Sequence, residues 1–277
     1  MGQTKPILED AHAEAFHARY VRLIVTAADE HWLAAAVNAL CGYGTSVIGC
    51  DAEVGVERSL TASDTPDGRV GVAVLAFGFR AEKLGQAVAN RVGQAVLTCP
   101  TAAVFDGSPD ADDRAPLGDY LRYFGDGHQQ QADDGWIVPI MEGEVVFPAT
   151  VGVGRGVAGG NLLLSGRDQP EALAAARRAV EAVRDLPGVI APFPGGVCRS
   201  GSKVGSRYKK LVASTNEAFC PTLKEQVATR LPDGTECVYE LILNGIDEAS
   251  LRTAMRAALH AALEGGLLAV TAAMQFS

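Results

Sequence analysis

The chain has 277 residues, 48% of them hydrophobic and 21% charged, with a formal net charge of −9. That length carries one large core or two smaller ones, and the acidic balance argues against nonspecific binding to nucleic acid or an anionic membrane. No run approaches the length of apolar chain that a transmembrane helix needs, so none is expected.

The opening "MGQTKPILED" lacks the charged-then-apolar pattern of a secretory leader, and Pro6 stands where a myristoylation signal wants Ser or Thr. Residues 20–26 ("YVRLIVT") alternate and are rich in β-formers, which predicts a strand. "AADEHWLAAAVNAL" follows with Trp32, Val37 and Leu40 on a helical stripe, and "TSVIGC" reads as a returning strand. After the turn "TPDGR" come the strand "VGVAVLAF" and the amphipathic helix "RAEKLGQAVANRVGQAVL". Residues 106–135 are polar and turn-rich, as expected of a surface loop or a lid.

The second half repeats the series. "GGNLLLSG" reads as a strand and "QPEALAAARRAVEAVRDL" as a helix opened by Pro170 and stopped before Pro187-Gly188. "GVIAPF" and "CVYELILNG" are further strands; Asp247 is the candidate N-cap of "DEASLRTAMRAALHAALEGG", and "LLAVTA" closes the unit. Each half is a β-α-β-β-α-β series. The expected class is α+β, two ferredoxin-like lobes at residues 1–148 and 149–277, forming one two-lobed subunit.

Cys41, Cys50, Cys99, Cys198, Cys220 and Cys237 form no C-x-x-C pair and read as thiols of a reduced cytoplasm. His12 and His17 are five apart with no cysteine near, so no metal site is expected. Two motifs imitate nucleotide sites. Gly154-Arg155-Gly156-Val157-Ala158-Gly159 has dinucleotide spacing, but the apolar "NLLL" that follows does not start the required helix, and Gly-Gly turns into a strand explain it better. Gly196-x-x-x-x-Gly201-Ser202-Lys203 inverts the Lys-Ser order of a P-loop and lacks a helix after it. Around it, Arg199, Lys203, Arg207, Lys209 and Lys210 concentrate positive charge in an acidic chain. They read either as a solvated loop or as a dock for a ligand bearing carboxylates or a phosphate.

Glu240 lies in "CVYELILNG", one carboxylate among apolar neighbours. It is either an outward-facing or paired residue, or a buried acid whose pKa is raised by desolvation and which stays neutral near pH 7.

The strings "AEAFHARYVRLIVTAA", "GYGTSVIGCDAEVGVE", "TPDGRVGV", "RVGQAVLTCPTAAVFDG", "GVAGGN", "APFPGGV", "SKVGS", "ASTNEAFCP" and "CVYELILNG" resemble the formylmethanofuran–tetrahydromethanopterin formyltransferase family over nearly the whole chain. The bacterial type, one subunit of a formyltransferase/hydrolase complex, is the nearer likeness. The resemblance implies the two-lobed fold, with residues 1–148 as the proximal and 149–277 as the distal lobe. It also implies reversible formyl transfer between the amine of methanofuran and N5 of tetrahydromethanopterin. Both coenzymes are substrates, with no prosthetic group. It implies flux towards formylmethanofuran for hydrolysis to formate by a partner amidohydrolase, and self-association through subunit interfaces.

The family's key acid falls on Glu240. Phe193, Arg199, Ser202, Lys203, Arg207, Asn216 and Tyr239 are the candidate coenzyme-binding residues. The chain departs from the family after its last apolar run, where relatives continue, and this puts the last sheet edge in question. A catalytically silent assembly subunit and an unrelated ferredoxin-like ligand sensor are the alternatives.

Overall fold

The computed structural model describes the backbone of residues 6–276, without the side chains of residues 10–14 and 273–276. The leader and myristoylation readings of residues 1–5, and the side chain of His12, lie outside what is described.

The first half runs β1 (Ile7–Thr26), α1 (Glu30–Cys41), β2 (Glu53–Leu60), β3 (Gly71–Gly78), α2 (Ala81–Ala95) and β4 (Ala103–Asp106). Asp29 caps α1 by accepting from the amides of His31 and Trp32, and Leu33, Ala36, Val37 and Leu40 are its buried stripe. Val21, Leu23 and Val25 alternate along β1 and share a core with that stripe and with Leu84, Val88 and Val92 of α2. β1 pairs antiparallel with β4 and β3, and β3 with β2, in the order β4-β1-β3-β2. This is the expected split β-α-β plan.

One strand is displaced from its expected place. "TSVIGC" is a turn, in which the amides of Gly49 and Cys50 donate to the Ser46 carbonyl and Glu53 accepts from the Val47 amide. The strand starts only at Glu53, after this turn has used the local donors. Arg22 of β1 grips Glu57 of β2 with two bonds of 2.7 Å, and Glu57, only 2% exposed, also accepts from the Gly188 amide.

The polar segment at 106–135 is more structured than the loop or lid expected. It holds β5 (Asp113–Pro116), α3 (Gly118–Leu121) and β6 (Gln130–Ala132), and β6 continues into a three-stranded sheet with β7 (Gly135–Ile140) and β8 (Gly143–Pro148). Leu117 and Phe147 are fully buried there, and Trp136 donates to Asp119 at 2.9 Å. A few apolar anchors suffice to order an otherwise polar stretch.

The second half contains β9 (Thr150–Gly166), α4 (Gln169–Val183), β10 (Val189–Ile190), β11 (Val197–Cys198), β12 (Lys203–Val204), β13 (Ala213–Ser214), β14 (Cys237–Gly245), α5 (Glu248–Leu263) and β15 (Ala269–Phe276). Asp168 and Asp247 cap α4 and α5 through the amides of Glu171 and Ser250. β10 is far shorter than "GVIAPF" suggested, because Pro192 and Pro194 bring no amide to a ladder. The Gly154–Gly159 stretch is strand, not a turn. Gly159, at φ +99°, sits where the β9–β14 register shifts, and its amide donates to Asn244 at 3.2 Å.

β9 pairs antiparallel with β14 and with β15, and β15 pairs in parallel with residues 7–15 of β1. The strand whose edge the chain end put in question therefore has a neighbour on both sides at Ala269–Ala273.

Two compact units result. One comprises His17–Gly156 with Asp185–Ile190; the other comprises the chain up to Phe16, Val157–Arg184 and the chain from Ala191 onward. A single cut at 148/149 does not describe this division. β1 pairs with β15 in its first part and with β3 and β4 in its second, while Asp185 and Gly188 are tied to Ser59 and Glu57.

Candidate active site

Residues 191–236 of the second unit contain two-residue strands, three single turns of 3-10 helix and irregular chain. Phe219 and Leu231 from this segment bury against Leu163 of β9, with Ala218 and Val238 at the margin. The segment thus covers one face of the β9–β14 pair, the face on which Glu240 stands.

Glu240 is flanked by Leu163 on β9 and Cys198 on β11 and is only 2% exposed. Two donors converge on one of its oxygens: Ser202 Oγ lies 2.7 Å and Asn161 Nδ2 2.9 Å from Oε1. Oε2 and Asn161 Oδ1 are buried with no hydrogen-bond partner among the described residues. Among the described residues no cation pairs with the carboxylate. Burial pushes its pKa up, and the donors from Ser202 and Asn161 pull it back only in part. An ionised Oε2 would be a charge with nothing to solvate it, so the arrangement favours a neutral acid that donates from Oε2. Glu240 is also part of the wall of a pocket of about 40 Å³, with Leu163, Arg199, Thr215, Asn216 and Phe219 among its neighbours. Such a space takes a group of a few atoms and no more.

The sequence candidates separate into two sets. Ser202 touches Glu240, and Arg199 and Asn216 line the pocket with it. Gly201, at φ +76°, brings these together: a Cβ there would meet the Asn216 amide nitrogen at 2.8 Å. Tyr239 lies on the opposite face of β14, its hydroxyl accepting from Gln169 Nε2 of α4 at 3.0 Å. Alternation along the strand requires this. Phe193 is half-buried, with its carbonyl accepting from the Gly196 amide, and is not in the pocket wall. Lys203 is engaged by Glu217, whose carboxyl is held low by that bond. Arg199, Arg207, Lys209 and Lys210 are exposed and have no ion-pair partner among the described residues. Asn161 was not among the candidates. Its signal was a lone amide ahead of the apolar "LLL".

The site is thus a buried acid with two donors and, among the described residues, no counter-ion, set in a ferredoxin-like unit. The model of formylmethanofuran–tetrahydromethanopterin formyltransferase matches residues 1–140, and a second model, described as the proximal lobe of that enzyme, matches residues 143–275. The chain belongs to this family. The proximal label falls on the C-terminal half, the reverse of the labels expected from the resemblance. A family relative from Methylococcus capsulatus, named formylmethanofuran–tetrahydromethanopterin formyltransferase, is 48% identical over 92% of this chain and 87% of its own length. The solved formyltransferase from Methanosarcina barkeri superposes with a TM-score of 0.89 at 41% identity, covering 98% of this chain and 93% of that one. The formyltransferase/hydrolase complex from Methylorubrum extorquens, solved with methylofuran, contains a chain with a TM-score of 0.88 and 42% identity, covering 98% of this chain and 92% of that one.

Proposed function

We propose that the protein is a formyltransferase that moves a formyl group between methanofuran and N5 of tetrahydromethanopterin, with Glu240 as its acid. The single observation that carries the role of Glu240 is the uncompensated Oε2, buried beside a pocket of formyl size. The attacking nitrogen forms a bond to the formyl carbon while the carbonyl oxygen gains negative charge. A neutral Glu240 donates to that oxygen from Oε2, a type of stabilisation worth about 3–4 kcal/mol. When the tetrahedral centre collapses, the original C–N bond breaks and the leaving amine carries away the proton that the incoming nitrogen gives up. Both coenzymes act as substrates, and the proximity of their reacting atoms supplies the remainder of the acceleration.

Four exposed cations at Arg199, Arg207, Lys209 and Lys210 are suited to anionic coenzyme tails. Membership in the family and likeness to a formyltransferase/hydrolase complex support a self-associating chain that joins an amidohydrolase-type partner, with flux towards formylmethanofuran and its hydrolysis. Among the described residues no helix is long and apolar enough to cross a membrane. A cytoplasmic setting fits the free cysteines.

The test is direct transfer between purified formylmethanofuran and tetrahydromethanopterin, followed by absorbance, with wild type beside Glu240→Leu, because Gln would keep an N–H donor at the Oε2 position. The expected loss in the variant is about 10²–10³ in kcat. Equal rates would remove Glu240 from the oxyanion role. Coenzyme binding without transfer by the wild type, alone and in the intact complex, would identify a silent assembly subunit instead.

A further inference from the structure

Resting on that acyl-transfer reading, we propose that Asn161 and Ser202 are positioning residues that decide which oxygen of Glu240 carries the proton. A carboxyl oxygen offers two in-plane lone pairs. At Oε1 the Ser202 hydroxyl and the Asn161 amide approach at 2.7 and 2.9 Å, so both sites are taken. A proton on Oε1 would have to displace the Asn161 amide or turn the Ser202 hydroxyl from donor to acceptor, and would leave Oε2 a buried oxygen with no donor among the described residues. On Oε2 it displaces nothing, because that oxygen has no partner among the described residues. The neutral acid is therefore held in one tautomer, with Oε1 as its carbonyl-type oxygen and Oε2–H as the free donor.

The two donors come from unrelated stretches of chain. Asn161 is on β9, two register positions along and on the same face as Glu240, because Leu163 is the residue directly opposite Glu240 and Asn161 is opposite Ile242. Ser202 is in the covering segment, just past Gly201, whose left-handed backbone turns the chain at this point. The titratable or charged side chains that surround Glu240 are the thiols of Cys198 on β11 and Cys220 in the covering segment, and Arg199 in the pocket wall. None of them pairs with Glu240, so burial and the two neutral donors govern the carboxyl. The donors favour its anion, so holding the proton in place also makes the carboxyl a somewhat stronger acid.

With either donor removed, the proton exchanges between the two oxygens and the carboxyl becomes a weaker acid. In Ser202→Ala and Asn161→Leu, kcat is expected to fall about tenfold with KM within about twofold of wild type. The alkaline limb of the rate–pH profile, where the acid ionises, moves up by roughly one pH unit. Ser202→Thr, which keeps the hydroxyl, restores both. The paired variant loses less than the product of the two single losses, because either alone already frees the proton.

A second readout does not depend on turnover. In protein labelled with 13C at glutamate carboxyls, the Glu240 resonance is found by its absence in Glu240→Gln and titrated in each variant. A higher midpoint in Ser202→Ala and Asn161→Leu supports the positioning role even if the transfer reading fails. An unchanged midpoint and an unmoved alkaline limb overturn it even where transfer is confirmed. Ser202→Ala removes a single atom and carries the test by itself should Asn161→Leu not fold.

Discussion

Replacing Glu240 by Gln should change the pH dependence of stability in a way that tests its buried, neutral state without substrate. In the folded chain the carboxyl is 2% exposed and its pKa lies above the ordinary glutamate value near 4.5. Below that pH both the folded and unfolded chains hold the proton. Gln keeps the accepting oxygen for Ser202 and Asn161, so the two proteins should agree within about 1 kcal/mol. As pH rises past 4.5 the unfolded chain ionises and the folded one does not, so the unfolded state binds fewer protons. Wild type therefore loses stability relative to Glu240→Gln by about 1.4 kcal/mol per pH unit. The loss stops where pH passes the raised folded pKa, and the difference stays constant beyond it. Urea denaturation of both proteins at half-unit steps from pH 4 to 8, at one ionic strength, reads this directly, because all other titrating groups cancel in the difference. Parallel curves, or a wild type that gains on the variant as pH rises, would refute the reasoning.

Arg22→Leu strands the buried Glu57 carboxylate and should destabilise by about 3–5 kcal/mol, with much of that recovered when Glu57 is also replaced by Leu; urea midpoints compare the three. Gly201→Ala forces a side chain into a left-handed backbone and against the Asn216 amide at 2.8 Å, at a cost of about 1–3 kcal/mol, and should also lower kcat by displacing Ser202. Calorimetry and the transfer assay measure these. Replacing Arg207, Lys209 and Lys210 together by Ala should raise KM severalfold and flatten its dependence on salt while leaving kcat unchanged, because these cations are exposed and are not part of the pocket wall. An unaltered KM at low salt would remove the loop from coenzyme docking.

Much of the fold was legible because local patterns coincide with tertiary demands. The stripe of α1, the alternation of Val21, Leu23 and Val25, the cap at Asp247, and the full extent of Cys237–Gly245 each follow from period and capping chemistry alone. The misplaced strand at "TSVIGC" shows the limit. β-formers there carry no turn signal of their own, and the later Glu53 accepts the amide that sets the turn. The polar stretch at 106–135 misled for the opposite reason: its anchors, Leu117 within it and Trp136 just after it, are too sparse to form a period.

At the site, sequence determined that an acid would stand among apolar neighbours on one strand and that cations would cluster nearby. It also determined the family, through strings distributed along the chain. Only the tertiary structure decided what that acid meets. Strand alternation sent Tyr239 to the helix side, pairing between β9 and β14 brought Asn161 within reach, and a covering segment with a turn at Gly201 delivered Ser202. Sequence spacing carries no information on such meetings, because residues 161, 202 and 240 are joined by register across strands and by the packing of Phe219 and Leu231, not by any local period. For the same reason the charge on Lys203 could be read from sequence, but its engagement by Glu217 could not.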